Sequence, residues 1–175
     1  HLGAWQHYNN VPYITKDSQP TSPDVQAAID AFLLFFKDRI LSKLENVIVR
    51  QCPELAKLMR LNIQQFREHS ALDLGSLFTC AVVSIGGSDC THVDWMDDYD
   101  LLAWVISLGK FLGSTICFPQ LGQKYCVRPG DVFGLASRHL AHRAELPESG
   151  RRIAVTLFTG RTLAKRTLIW AASQP

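Results

Sequence analysis

Apolar residues recur at Ile29, Phe32, Leu33, Phe36, Ile40, Leu44, Val47 and Ile48, with Lys37, Asp38, Lys43 and Glu45 on the other side. This 3.6-residue stripe predicts a long amphipathic helix with one face against a sheet. Its start lies at Ser22-Pro23-Asp24, where Ser22 suits a cap, Pro23 the first turn and Asp24 the positive end of the helix dipole. Pro53 ends that helix and opens a second, predicted over 54–69, in which Leu55, Leu58, Met59, Ile63 and Phe66 repeat the period. A helical hairpin over 22–72 follows. Ahead of it, residues 1–21 set Trp5, Tyr8 and Tyr13 among polar residues in no period, and read as an irregular arm.

Beyond Asp73 the texture changes to short β-branched and aromatic runs punctuated by Gly, Pro, Asp and Ser. Strands are predicted over 77–84, 91–95, 103–108, 114–118, 124–127, 131–135, 141–145 and 153–159. Eight strands suit a jelly roll. Gly86-Gly87, Gly113, Pro129-Gly130 and Ser149-Gly150 supply the positive-φ residues of its tight reversals. With no repeat and no second domain visible, residues 1–175 read as one α+β domain, mainly β. Its core over 73–170 is a double-stranded β-helix covered by the hairpin.

Composition narrows the class. A chain of 175 residues with 47% hydrophobic and 19% charged residues is of a size and kind that buries a core, which excludes disorder. The net charge of +2 gives no global pull toward polyanions, so any such binding needs a local patch. The longest apolar run, 31–36, is far too short to span a membrane. Five cysteines without a CxxC pair fit neither a disulfide framework nor a zinc knuckle, and point to an intracellular compartment, nuclear or cytoplasmic. The chain begins at His1 without an initiator Met, and is expected to be a fragment.

The candidate chemistry begins at Thr91-His92-Val93-Asp94. On a strand His92 and Asp94 face the same side, so one imidazole and one carboxylate converge. A jelly roll brings its second and seventh strands together, and the seventh opens at Ala141-His142. Two histidines and a carboxylate form the facial triad of non-haem Fe(II) oxygenases. His139 competes with His142 for the distal place, and Arg151 with Arg152 for an inward-facing cation. If Arg152 faces inward, Ala154, Thr156 and Phe158 share its face and Arg151, Ile153 and Val155 take the other. Trp95, Tyr99 and Trp104 are either core or stacking surfaces for a planar substrate. Asp97, Asp98 and Asp100 read as turn formers or as an acidic mouth. Arg138, Arg143, Arg151, Arg161, Lys165 and Arg166 form either a phosphate-facing patch or a solvated face. Cys80, Cys117 and Cys126, in strands, read as core.

The segments His92-Val93-Asp94, 113–119, Arg128-Pro129-Gly130-Asp131, Leu140-Ala141-His142 and 150–158 together resemble the core of the 2-oxoglutarate and Fe(II)-dependent oxygenases. Within them the chain most resembles the TET and J-binding-protein type branch, with Pro119-Gln120-Leu121-Gly122 matching an element of its expanded fungal set. The resemblance implies a double-stranded β-helix, with His92, Asp94 and His142 as iron ligands and Arg152 binding 2-oxoglutarate. It also implies dioxygen as co-reactant and hydroxylation of a C–H bond, with a modified nucleobase of DNA or RNA as leading substrate. The alternatives are a protein side chain or small metabolite as substrate, or a non-catalytic jelly-roll binding module. Two departures stand out. Ala154 occupies a position where the family often has a Ser that shares the cosubstrate carboxylate, and the cysteine-rich extension of animal members is absent.

Overall fold

A computed structural model describes residues 1–5, 13–19, 21–64, 74–86 and 88–165. The chain is α+β, with its strands in two antiparallel sheets. It divides into two compact units, one formed by His1–Ala81 with Thr159–Pro175 and the other by Val82–Phe158.

In the first unit, strand β1 (Leu2–Trp5) pairs with β2 (Tyr13–Ile14) and with the start of β3 (Cys80–Ile85). The arm expected to be irregular therefore contributes strands, because main-chain pairing needs no side-chain period. Helix α1 (Pro23–Phe36) starts where its cap signals lie, with Ser22 Oγ accepting from Val25 N at 3.3 Å. It runs through a π-helical stretch, Lys37–Leu41, into α2 (Ser42–Gln51). The wider turn shifts the buried face by one residue. Phe36, Leu41, Leu44 and Ile48 are buried, whereas Val47, assigned to the core stripe by an unbroken 3.6 period, is exposed. Cys52 interrupts the helix, and α3 (Pro53–Gln64) packs against α2. This is the expected hairpin, and its predicted continuation to residue 69 lies outside the described residues. Glu45 ties α2 to the following segment by accepting from Ser76 N at 2.5 Å and Ser76 Oγ at 3.1 Å.

A strand overlaps each of the eight predicted runs, and all of them lie in the second unit except the start of β3, which belongs to the first. One sheet has the order β3, β10 (Ser149–Phe158), β5 (Ala103–Leu112), β8 (Val132–Leu135). The other has the order β4 (Ser88–His92), β9 (His142–Ala144), β6 (Ser114–Phe118), β7 (Gln123–Val127). Gly86, Gly113, Gly130 and Gly150 have positive φ at the reversals. The core is a cluster of Phe111, Ile116, Phe118, Val127 and Leu135, packed with Phe133 and Leu140, and the two sheets make a jelly-roll-like core. Burying each such side chain stabilises the unit by about 1.5–3 kcal/mol.

Register follows from that cluster. Leu135 and Phe133 pair with Ala103 and Val105, and Val105, Ser107 and Gly109 pair in turn with Thr156, Ala154 and Arg152. Alternation then places Arg152, Ala154 and Thr156 on the core face. Gly109 has φ +104°, and a Cβ there would stand 2.3 Å from the carbonyl oxygen of Arg151, so only glycine fits opposite Arg152. Cys126, expected in the core, is exposed on β7, whereas Cys80 and Cys117 are buried.

Candidate metal centre

Strand β4 ends at His92, where it pairs directly with His142 at the start of β9. This is the juxtaposition of second and seventh jelly-roll strands that the spacing anticipates. The two imidazole rings are 4.5 Å apart between centroids, tilted by 51°. Asp94 completes the group. Its Oδ1 lies 3.8 Å from His92 Nε2 and its Oδ2 3.7 Å from His142 Nε2, with the candidate donor atoms all within 4.8 Å of one another. An ion with bonds of about 2.1 Å spaces its donors by roughly 3 to 4 Å, so the cluster has the dimensions of a first-row metal site.

The imidazoles are set for that use. His92 Nδ1 is 2.9 Å from the carbonyl oxygen of Cys90, and His142 Nδ1 is 2.9 Å from that of Leu140. A carbonyl only accepts, so each Nδ1 carries a hydrogen, and in the neutral ring this tautomer turns the Nε2 lone pair toward Asp94. Among the described residues no donor hydrogen-bonds the Asp94 carboxylate. Neutral nitrogens facing an unpaired carboxylate are the donor set that a divalent cation satisfies.

Asp94 does not reach this place through strand alternation, because the strand has already ended. Its N–H donates to Ser137 O at 3.0 Å, and its carbonyl accepts from Asp97 N at 2.9 Å. Ser137 Oγ in turn donates to Asp97 Oδ2 at 2.5 Å. Burial pushes the Asp97 carboxyl up to about 7, with the charge of Asp94 adding to the rise and Ser137 and Arg138 opposing it. Asp98 forms a turn, accepting from Asp100 N at 3.0 Å.

The neighbouring candidates divide. His139 is exposed and its Nε2 sits 3.1 Å from Tyr99 O, outside the cluster. Arg138, weighed as part of a basic patch, is buried: its Nη1 donates to the carbonyls of Trp95 and Asp97, and its guanidinium lies 3.9 Å from the centroid of the Tyr99 ring. Trp95 and Tyr99 are exposed, whereas Trp104 is half-buried. Arg143 shares Glu145 with Lys124, Arg151, Arg161 and Lys165 are exposed, and Arg166 lies outside the described residues.

Arg152 is buried at 6% exposure while Arg151 is exposed, as the inward register requires. Arg152 Nη1 donates to Ser114 Oγ at 2.6 Å, and Ser114 Oγ donates to Glu145 O at 3.1 Å. Its Nε has no partner, and no carboxylate pairs with it among the described residues. Burial lowers the pKa of this guanidinium. Its neighbours on the same face, Ser107, Gly109 and Ala154, are small. A buried guanidinium with no carboxylate beside it, among small side chains, calls for an anionic partner. Ser114 was not among the sequence candidates, since a serine after a turn glycine carries no periodic signal. Gln120, within the Pro119-Gln120-Leu121-Gly122 element, also has a local structural role. It brackets the approach to His142, donating to His139 O at 3.3 Å and accepting from Ala141 N at 2.5 Å.

No protein-family model matches the sequence, and no curated protein does. Among solved structures, NgTET1 in complex with 5mC DNA is similar with a TM-score of 0.58 at 16% identity, over 99% of this chain and 68% of that one. Protein NMB1881 from Neisseria meningitidis gives a TM-score of 0.33 at 15% identity, over 45% of this chain and 71% of that one, too slight a likeness to bear on the argument. At such identity the likeness to NgTET1 is one of fold: this chain has a TET-like fold, and that fold carries a His-Asp-His group compatible with a metal.

Proposed function

We propose that this protein is a 2-oxoglutarate and Fe(II)-dependent dioxygenase that hydroxylates a C–H bond. The observation that carries the reading is the convergence of His92 Nε2, Asp94 and His142 Nε2, with both Nδ1 atoms tied to carbonyls. In this reading those three side chains hold iron. When bound, iron with 2-oxoglutarate and dioxygen supplies the oxidation, turning substrate C–H into C–OH while the cosubstrate leaves as succinate and carbon dioxide.

The chain's own contribution is binding and orientation. His92, Asp94 and His142 would hold the ion through three donors, which would leave coordination positions for exchangeable ligands. Arg152 receives the distal carboxylate of 2-oxoglutarate on its unpaired edge, while Ser114 holds the other end of the fork. Ala154 adds no hydroxyl to that contact, so the cosubstrate rests on Arg152 alone at this position of β10. The substrate proposed is a modified base in DNA or RNA, supported by the shared fold with NgTET1, which was solved with 5mC DNA. Asp98 and Asp100, on the loop after Asp94, favour a cationic side chain or a neutral metabolite instead.

Anaerobic addition of Fe(II) and then 2-oxoglutarate to the purified protein tests the chemistry. A visible charge-transfer band from the chelate is expected, and its absence, together with no succinate formed in air, overturns the reading. The substrate is tested by binding to single- and double-stranded DNA and RNA across a salt series, where affinity for a nucleic-acid substrate falls steeply with salt. Turnover of 2-oxoglutarate without any such affinity assigns the enzyme to protein or metabolite hydroxylation.

A further inference from the structure

The place of Asp94 is set by a side chain far away in sequence. Since β4 stops at His92, the carboxylate is presented by a turn, and that turn is gripped from one side by the segment that leads into His142. Ser137 O takes the N–H of Asp94. Arg138 Nη1 donates both to Trp95 O and, at 2.9 Å, to Asp97 O, two carbonyls of the turn that follows the carboxylate. The guanidinium is capped by Tyr99 at 3.9 Å and is 8% exposed, and among the described residues no carboxylate forms an ion pair with it. The Asp97 and Asp98 carboxyls feel its charge from beyond ion-pair distance, but its hydrogen bonds go to main-chain oxygens, and a buried cation held in that way is expensive to keep for stability alone. Its partners are the residues that aim Asp94.

We propose that Arg138 is the positioning residue of the metal centre, locking the turn 95–97 so that the Asp94 carboxylate stands between the two imidazoles. The inference rests on the reading of His92, Asp94 and His142 as metal ligands. One segment, 137–142, then governs both other ligands: it supplies His142 and, through Ser137 and Arg138, holds Asp94. Tyr99 keeps the guanidinium flat against the turn, and its 57% exposure leaves it free to be changed without opening a core.

The test is titration of the whole protein with Co(II), a spectroscopic stand-in for Fe(II), reading affinity and the visible d–d bands alongside the thermal unfolding midpoint. Arg138→Ala is expected to lower Co(II) affinity about 10- to 100-fold, as loss of a partner that orients a ligand does, and to change the band pattern. Arg138→Lys, whose ammonium lacks the planar fork, falls between wild type and Arg138→Ala. Guanidinium ion well below denaturing concentration restores part of the affinity to Arg138→Ala. Should Arg138→Ala fail to fold, Tyr99→Leu weakens Co(II) binding while Tyr99→Phe, which keeps the ring, does not. If wild type binds Co(II) and the Arg138 and Tyr99 variants bind equally well with unchanged bands, the inference is overturned and the metal reading stands. If wild type itself takes up no Co(II), the metal reading falls, and the inference with it.

Discussion

Asp94 and Glu145 are carboxylates beside the same small sheet, one just past β4 and one just past β9, in opposite surroundings. Glu145 is saturated by the protein. Thr115 Oγ1 donates to it, as do Cys117 Sγ at 3.3 Å, Lys124 Nζ at 2.9 Å and Arg143 Nη2 at 3.4 Å. These bonds, Thr115 first and then Lys124, hold its pKa down at about 2. Asp94 faces only two imidazole nitrogens, at distances too long for hydrogen bonds. The contrast separates a carboxylate whose charge is answered within the fold from one whose charge awaits a ligand.

The contrast breaks most visibly at the metal. Asp94→Ala or His142→Ala is expected to lower Co(II) affinity by at least ~100-fold, whereas Glu145→Gln leaves it unchanged; titration calorimetry distinguishes the two. Next in size comes the anion site. Arg152→Lys raises the concentration of 2-oxoglutarate needed for half-saturation of the chelate band about 10- to 100-fold, with iron binding retained and Arg151→Lys silent. Equal effects of the two substitutions would refute the inward register of Arg152.

A smaller effect sharpens the other side of the comparison. A carboxyl held near 2 against an ordinary 4.5 stabilises the fold above pH 4.5, and that contribution is lost as pH falls toward 2. The thermal midpoint of wild type should therefore exceed that of Glu145→Gln at neutral pH, with the gap closing below pH 4.5. The smallest change is a gain. Ala154→Ser adds a hydroxyl on the face of Arg152, and one further hydrogen bond of about 1 kcal/mol tightens 2-oxoglutarate by roughly fivefold, read from the same band.

Much of this was legible from residue order because it rests on local signals. The Ser22-Pro23 start, the turn glycines and the eight strand runs are written in period and punctuation. The pairing of His92 with His142 and the inward face of Arg152 follow once a jelly roll is assumed. What stayed hidden is held by bonds between segments remote in sequence. Nothing around Arg138 distinguishes a guanidinium clasping two carbonyls from one in solvent, and nothing near Ser114 announces its bond to Arg152. The slip from Ile40 to Leu41 on the buried helical face comes from one wide turn, which a fixed period passes over.

The hydrogen bonds from the two Nδ1 atoms to Cys90 O and Leu140 O carry one more consequence. With those positions already protonated, each ring has a single remaining basic atom, and it is the atom that faces Asp94. Acid and metal therefore contend for the same two lone pairs, and the site exchanges a cation for protons rather than holding both.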